Sequence, residues 1–111
     1  MIGKEFKIRK SQQYNNIYQN GRKFTSKYLI IFLLENNLKT NRYGIVTSKR
    51  IGNAVIRNKA KRRLRALIAE KQAELKQGYD IVLVCRPLIS RVSYRLLKND
   101  FSILLRKSRI C

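Results

Sequence analysis

Apolar positions in this chain recur first at helical spacing, then in near-continuous runs, then at helical spacing again, and this alternation predicts its elements. In "SQQYNNIYQNG" (11–21), Ser11 offers an N-cap, Tyr14, Ile17 and Tyr18 fall at i, i+3 and i+4, and Asn20-Gly21 supplies a stop, so a short helix with an aromatic face is predicted. "KFTSKYLIIFLLEN" (23–36) is rich in β-branched and aromatic residues and predicts one or two strands ending at the Asn36-Asn37 turn. After the polar "NNLKTN", "RYGIVTSKR" (42–50) predicts a further strand, paired back on the first as an antiparallel hairpin. A helical pattern then runs from Asn53 to Gln77, with Gly78 as its stop, and "YDIVLVCRP" returns as a strand ended by Pro87. Ser90 or Ser93 can cap a last helix in which Tyr94, Leu97, Phe101, Leu104 and Leu105 share one face.

The order helix, strands, helix, strand, helix predicts an α+β domain with helices packed on a small mixed sheet. The middle strand, long helix and last strand form a crossover unit. With 44% apolar residues in 111, the chain builds one core, and neither a repeat nor a linker divides it.

Charge changes the picture most. Twenty-six Lys and Arg against six Asp and Glu give +20, more than internal pairing can neutralise. The compensating anion therefore comes from outside, and nucleic acid is its usual form, because each neutralised phosphate releases condensed counterions. An anionic membrane is the competing source. The longest apolar run, "YLIIFLL" (28–34), is far short of the ~20 residues that span a bilayer, and "MIGKEFKIRK" lacks the apolar core of a signal peptide. The chain reads as cytoplasmic, with Cys85 a buried hydrophobe and Cys111 a free terminal thiol.

The charge concentrates in "RNKAKRRLRALI" (57–68). At about 100° per residue, Ile56, Ala60, Leu64, Leu67, Ile68 and Leu75 fall within an arc of about 120°, which faces the core. Lys61, Arg65, Asn58 and Arg62 follow around the wheel, with Arg57 at the boundary and Lys59 and Arg63 on the other flank. Arg57, Lys61 and Arg65 stack like charges on successive turns, and no acid stands between Glu35 and Glu70. A solvated face would carry Glu there. This stripe predicts a nucleic-acid surface, and RNA rather than duplex DNA, since no helix-turn-helix pair precedes it.

Catalytic chemistry is nearly excluded. There is no histidine, the only aspartates are Asp80 and Asp100, and the two cysteines make no zinc pattern. A reaction involving this chain takes its chemistry from elsewhere.

The stretch "SKRIGNAVIRNKAKRRLRALI" (48–68), together with the aromatic first helix ending in "NG", the strand "YDIVLVCRP" and a basic closing helix, resembles the bacterial ribonuclease P protein subunit over nearly the whole chain. The resemblance implies a single RNA-binding domain over residues 1–111, an α/β sandwich with a left-handed βαβ crossover, where periodicity alone predicts a right-handed one. It implies removal of the 5′ leader from precursor tRNA, with catalysis by a partner RNA that requires Mg2+, and no cofactor bound by the protein. Lys49, Arg50, Asn53, Arg57, Asn58, Lys59, Lys61, Arg62 and Arg65 would lie against the catalytic RNA in a 1:1 complex, and Tyr14, Tyr18 and Phe32 would hold the single-stranded leader. Those aromatics can equally be core residues, whereas Ile17 is assigned to the core. Lys59 stands where the family has arginine and loses the bidentate fork. A structural ribosomal protein and a basic membrane-active protein are the rival readings.

Overall fold

The computed structural model describes residues 7–111. Three helices and four strands follow in the order α1 (Ser11–Asn20), β1 (Arg22–Thr25), β2 (Leu29–Glu35), β3 (Arg42–Val46), α2 (Ala54–Lys71), β4 (Tyr79–Cys85) and α3 (Tyr94–Lys107). The predicted α+β class and small mixed sheet are borne out. The sheet order is β1-β2-β4-β3, with β3 parallel to β4 and the other pairs antiparallel.

The predicted hairpin between the second strand segment and Arg42–Val46 does not form. β2 instead pairs with β1 on one side and with β4 on the other, and β3 lies beyond β4. The physical reason is burial: Ile81, Val82 and Leu83 are all covered, so the strand with the most buried residues takes a central place with neighbours on both edges. The polar turn that was expected to close the hairpin is tied to β4 instead. Asn41 donates from Nδ2 to the Lys76 carbonyl (2.8 Å) and accepts from the Tyr79 amide (2.8 Å). One residue on, Arg42 reaches across the parallel pair to Asp80 through Nε (2.8 Å) and a terminal nitrogen (2.7 Å).

Alternation along the strands sends Leu29, Ile31 and Leu33 of β2 and Ile81, Leu83 and Cys85 of β4 to one face, where they pack with Leu64, Leu67 and Ile68 of α2 and Leu97, Phe101, Leu104 and Leu105 of α3. The opposite face carries Phe32, Leu34, Val46, Val82 and Val84, and there Ile8, Tyr14 and the fully buried Ile17 join them. The sheet therefore has α2 and α3 on one side and α1 on the other.

Helix ends depart from the pattern in instructive ways. Ser11 is the first helical residue, and the cap is Lys10, with Gln13 Oε1 accepting from the Arg9 and Lys10 amides at 3.2 Å. α2 stops at Lys71, short of Gln77, and Leu75 enters the core from extended backbone held by the Lys76 amide on the Ile110 carbonyl (2.7 Å). Its place on the helical wheel was coincidental. Gly78 does turn the chain, at φ 92°. Ser93, not Ser90, caps α3, accepting from the Leu96 amide.

Candidate nucleic-acid interface

On the α1 face of the sheet, three aromatic rings converge. Tyr14 and Tyr18, one turn apart, have centroids 6.2 Å apart, and Tyr18 meets Phe32 of β2 edge-on at 4.9 Å. The helix can come this close because its terminus is glycine: a Cβ on Gly21 would lie 2.5 Å from the Ile17 carbonyl oxygen and 2.9 Å from that of Leu33. Gly21 itself has φ −79°, so close approach rather than an unusual turn explains it. Ile17 is buried, as expected, and Tyr14 and Phe32 are half-buried, while Tyr18 is the most open of the three at 38% exposure. This gradient leaves π-faces available beside an apolar floor of half-covered Ile30, Val46 and Val84. Burial raises both tyrosine pKa values, with the neighbouring Tyr18 adding to the shift at Tyr14, so both phenols stay neutral.

Two features of this cleft escaped the sequence reading. Lys23 is the cross-strand partner of Phe32, and its ammonium lies 5.9 Å from the ring centroid. Tyr14 lies against Gly44 of β3 and donates its hydroxyl to the Ile8 carbonyl (3.2 Å). A glycine inside a strand pattern was the available signal for that approach. Phe24 packs on the opposite side of the sheet from Phe32, under the Arg22 guanidinium.

The basic motif forms a second surface. Lys49 and Arg50 are exposed on the short 3-10 turn Lys49–Ile51, and Asn53 caps α2, its side-chain oxygen accepting from the Ile56 amide at 3.1 Å. That oxygen is occupied, which leaves the carboxamide hydrogens of Asn53 for a ligand. On α2, Asn58, Lys59, Arg62 and Arg65 are exposed and Arg57 and Lys61 are partly covered. Ala60, Leu64, Leu67 and Ile68 turn inward as the wheel requires, but Ile56, in the first turn, remains at the surface. Arg63 behaves differently from its neighbours. It donates to the Val92 carbonyl (2.8 Å), and burial lowers its pKa, so it fastens α2 to the segment before α3.

None of the nine stripe residues forms an ion pair within the described chain, where the bridges are Arg42 to Asp80, Lys71 to Glu74 and Lys98 to Glu70. The seven Lys and Arg among them thus carry charge that no carboxylate of the described residues pairs. Lys61 and Arg65, furthermore, lie on the same small pocket as Tyr14, so the two surfaces meet. Among the described residues, no three His, Cys, Asp or Glu side chains form a metal-binding group, and no helix is long and apolar enough to cross a membrane.

The chain is similar to known proteins over nearly its whole length. The family model described as Ribonuclease P matches residues 2–109. A ribonuclease P protein component from Syntrophomonas wolfei is 41% identical over 108 residues, covering 97% of this chain and 91% of the relative. Among solved structures, a Staphylococcus aureus RNase P protein mutant with defective mRNA degradation activity superposes with a TM-score of 0.92 at 25% identity, over 97% of this chain and 92% of that one. The RNase P protein from Thermotoga maritima gives 0.81 at 26% identity, over 90% and 96%.

Proposed function

This chain belongs to the ribonuclease P protein family, and from that premise we propose how its two surfaces divide the work of precursor-tRNA processing. The α2 stripe, with Lys49, Arg50 and Asn53 before it, lies against the catalytic RNA in a 1:1 complex, and Tyr14, Tyr18 and Phe32 hold the single-stranded 5′ leader. The observation that carries this reading is the convergence of three rings on one half-open sheet face beside a helix whose Arg57, Lys59, Lys61, Arg62 and Arg65 form no ion pair among the described residues. Stacking suits a leader of variable sequence, since every base has a π-face, at roughly 1–3 kcal/mol per base.

The protein's role is electrostatic and positional, and the RNA supplies the chemistry. A chain of +20 placed between two polyanions reduces their repulsion and so lowers the Mg2+ concentration that the catalytic RNA needs. Lys59 takes part as a point charge without arginine's paired donors.

Single-turnover cleavage of precursor tRNA at low Mg2+, with and without the protein, tests this on substrates with a long leader and with a leader of one nucleotide. Stimulation and tighter binding confined to the long leader are expected; equal binding of both would remove the cleft from the mechanism. Two variants then separate the surfaces. Tyr18→Ala loses about tenfold in long-leader affinity and leaves assembly intact. Arg57→Ala/Arg62→Ala weakens assembly and flattens its salt dependence by about 1.5 in log-log slope, at roughly 0.7–0.9 per lost contact.

A further inference from the structure

The pocket where the two surfaces meet has a construction of its own. It occupies about 150 Å³ at the outer edge of β3, between α1 and α2. Residues 7 and 8 extend that edge, through a parallel bridge from Lys7 to Tyr43 and the Ile8 amide on the Tyr43 carbonyl (2.9 Å). The floor is Ile8, Gly44 and Ile45, and Tyr14 lies over it. A Cβ on Gly44 would sit 2.5 Å from the Tyr14 hydroxyl oxygen and 2.8 Å from its Cε1, so only glycine lets the ring lie on the strand. The Tyr14 hydroxyl donates its hydrogen to Ile8, and the charged groups on the lining are Lys7, Lys61 and Arg65. No carboxylate pairs with any of the three among the described residues.

A floor of Ile8, Gly44 and Ile45 beside three cations that form no ion pair among the described residues matches a ligand with an anionic head and a flat or cyclic body. A cavity of about this volume holds a benzene-sized ring, and the cations offer charge-assisted hydrogen bonds to phosphate oxygens. Inorganic phosphate would use only the rim and an uncharged nucleoside only the floor. A nucleotide uses both. Tyr14 is also the end member of the ring series that runs through Tyr18 to Phe32, so a strand stacked there continues directly into the pocket.

We infer that the pocket seats one nucleotide of the leader strand, with its phosphate held by Lys61, Arg65 and Lys7 and its sugar or base against Tyr14 and the Gly44 backbone. The inference rests on the leader reading above and deepens it. Lys61 and Arg65 thereby move from the catalytic RNA's contact set to the leader's, and Lys7 and Gly44 join the site.

Backbone-amide NMR of the full-length protein, titrated separately with adenosine 5′-monophosphate, adenosine and inorganic phosphate, reads the pocket at Gly44 and Lys61. The monophosphate is expected to shift both amides and to bind about tenfold more tightly than either half-ligand, with a further loss of about tenfold per cation in Lys61→Gln/Arg65→Gln. The charge-matched Lys39→Gln/Lys107→Gln protein, altered outside the pocket lining, should lose less than that by a wide margin. Equal affinity for monophosphate and phosphate, or equal losses in the two double variants, would reduce the pocket to diffuse anion attraction and overturn the inference.

The holoenzyme identifies the strand. Lys61→Gln/Arg65→Gln should weaken binding of a long-leader precursor, spare a precursor with a one-nucleotide leader, and cost catalytic-RNA affinity no more than the charge-matched control. Lost catalytic-RNA affinity with leader discrimination retained would assign the nucleotide to the catalytic RNA and overturn this placement, leaving the aromatic cleft intact. If the unaltered protein fails to distinguish leader lengths, the cleft reading fails with the leader assignment, while the monophosphate titration still decides whether the pocket is a nucleotide site.

Discussion

Asp80 is 4% exposed and its carboxylate accepts from Arg42 Nε, an Arg42 terminal nitrogen and Asn36 Nδ2 (3.0 Å). Hydrogen bonding to this carboxylate raises the Arg42 pKa, so the guanidinium stays charged. Asp80→Ala leaves Arg42 and Asn36 without their acceptor; because the Arg42 side chain is 23% exposed, the expected loss is at the lower end for a broken buried pair, about 2–3 kcal/mol, read from the urea midpoint. Cys85 makes a second residue-level prediction. Burial pushes its thiol up to about 12 from 9.0, against a small opposing effect of Lys61. At pH 8 one thiol, the exposed Cys111, should react quickly with a disulfide reagent, and Cys85 only after denaturation. The folded chain holds the Cys85 proton more tightly than the unfolded one, so its contribution to stability is complete below pH 9 and declines as pH rises from 9 towards 12. Cys85→Ala should flatten that part of an alkaline unfolding profile. The burial of Cys85 was legible from its apolar neighbours, whereas nothing near Asp80 in the chain indicated its partner, which stands 38 residues away.

Among the helices, α1 is the least anchored. Ten residues long, it contributes one fully buried side chain, Ile17, and two half-open rings. α2 and α3, by contrast, each bury four residues. Ile17→Ala should therefore release α1 selectively: its amides exchange with solvent much faster, by the rate equivalent of about 2–4 kcal/mol, while those of β2 and β4 keep their protection. Leader binding should fall with it and assembly through α2 should persist. α1 and the inward face of α2 were readable because 3.6-residue periodicity is a local property. The end of α2 was not, because Leu75 satisfied the helical wheel while the next residue, Lys76, donates its amide to the Ile110 carbonyl, a contact that no local pattern encodes.

At the scale of the whole molecule, +20 on a chain with a radius of gyration of 13.0 Å places every cation within reach of many others. At low salt the Debye length of ~30 Å at 0.01 M exceeds that radius, and at 0.15 M it is ~8 Å. Thermal stability should accordingly rise with salt over this range, and the same salt should weaken RNA binding, since screening relieves self-repulsion and removes the counterion-release gain together. A melting temperature independent of salt would mean that the charges are too widely dispersed to repel. The separation of α1 from α2 and α3 by the sheet keeps the aromatic cleft accessible beside the basic helix without burying either.

What the sequence determined by itself follows from local regularities: the α+β class, the positions of the helices and most strands, the basic stripe and the lack of histidine chemistry all rest on spacing or composition, whereas the assignment of Tyr14, Tyr18 and Phe32 to a leader cleft comes from the family resemblance. The order of strands, the pairing of β3 with β4, the ion pair at Asp80 and the pocket shared by Tyr14, Lys61 and Arg65 were decided only in the folded chain. Each depends on contacts between distant segments, and those are chosen by competition for the buried centre of the sheet: β4, covered on both faces, took the place beside β2 that adjacency in the chain would have given to β3.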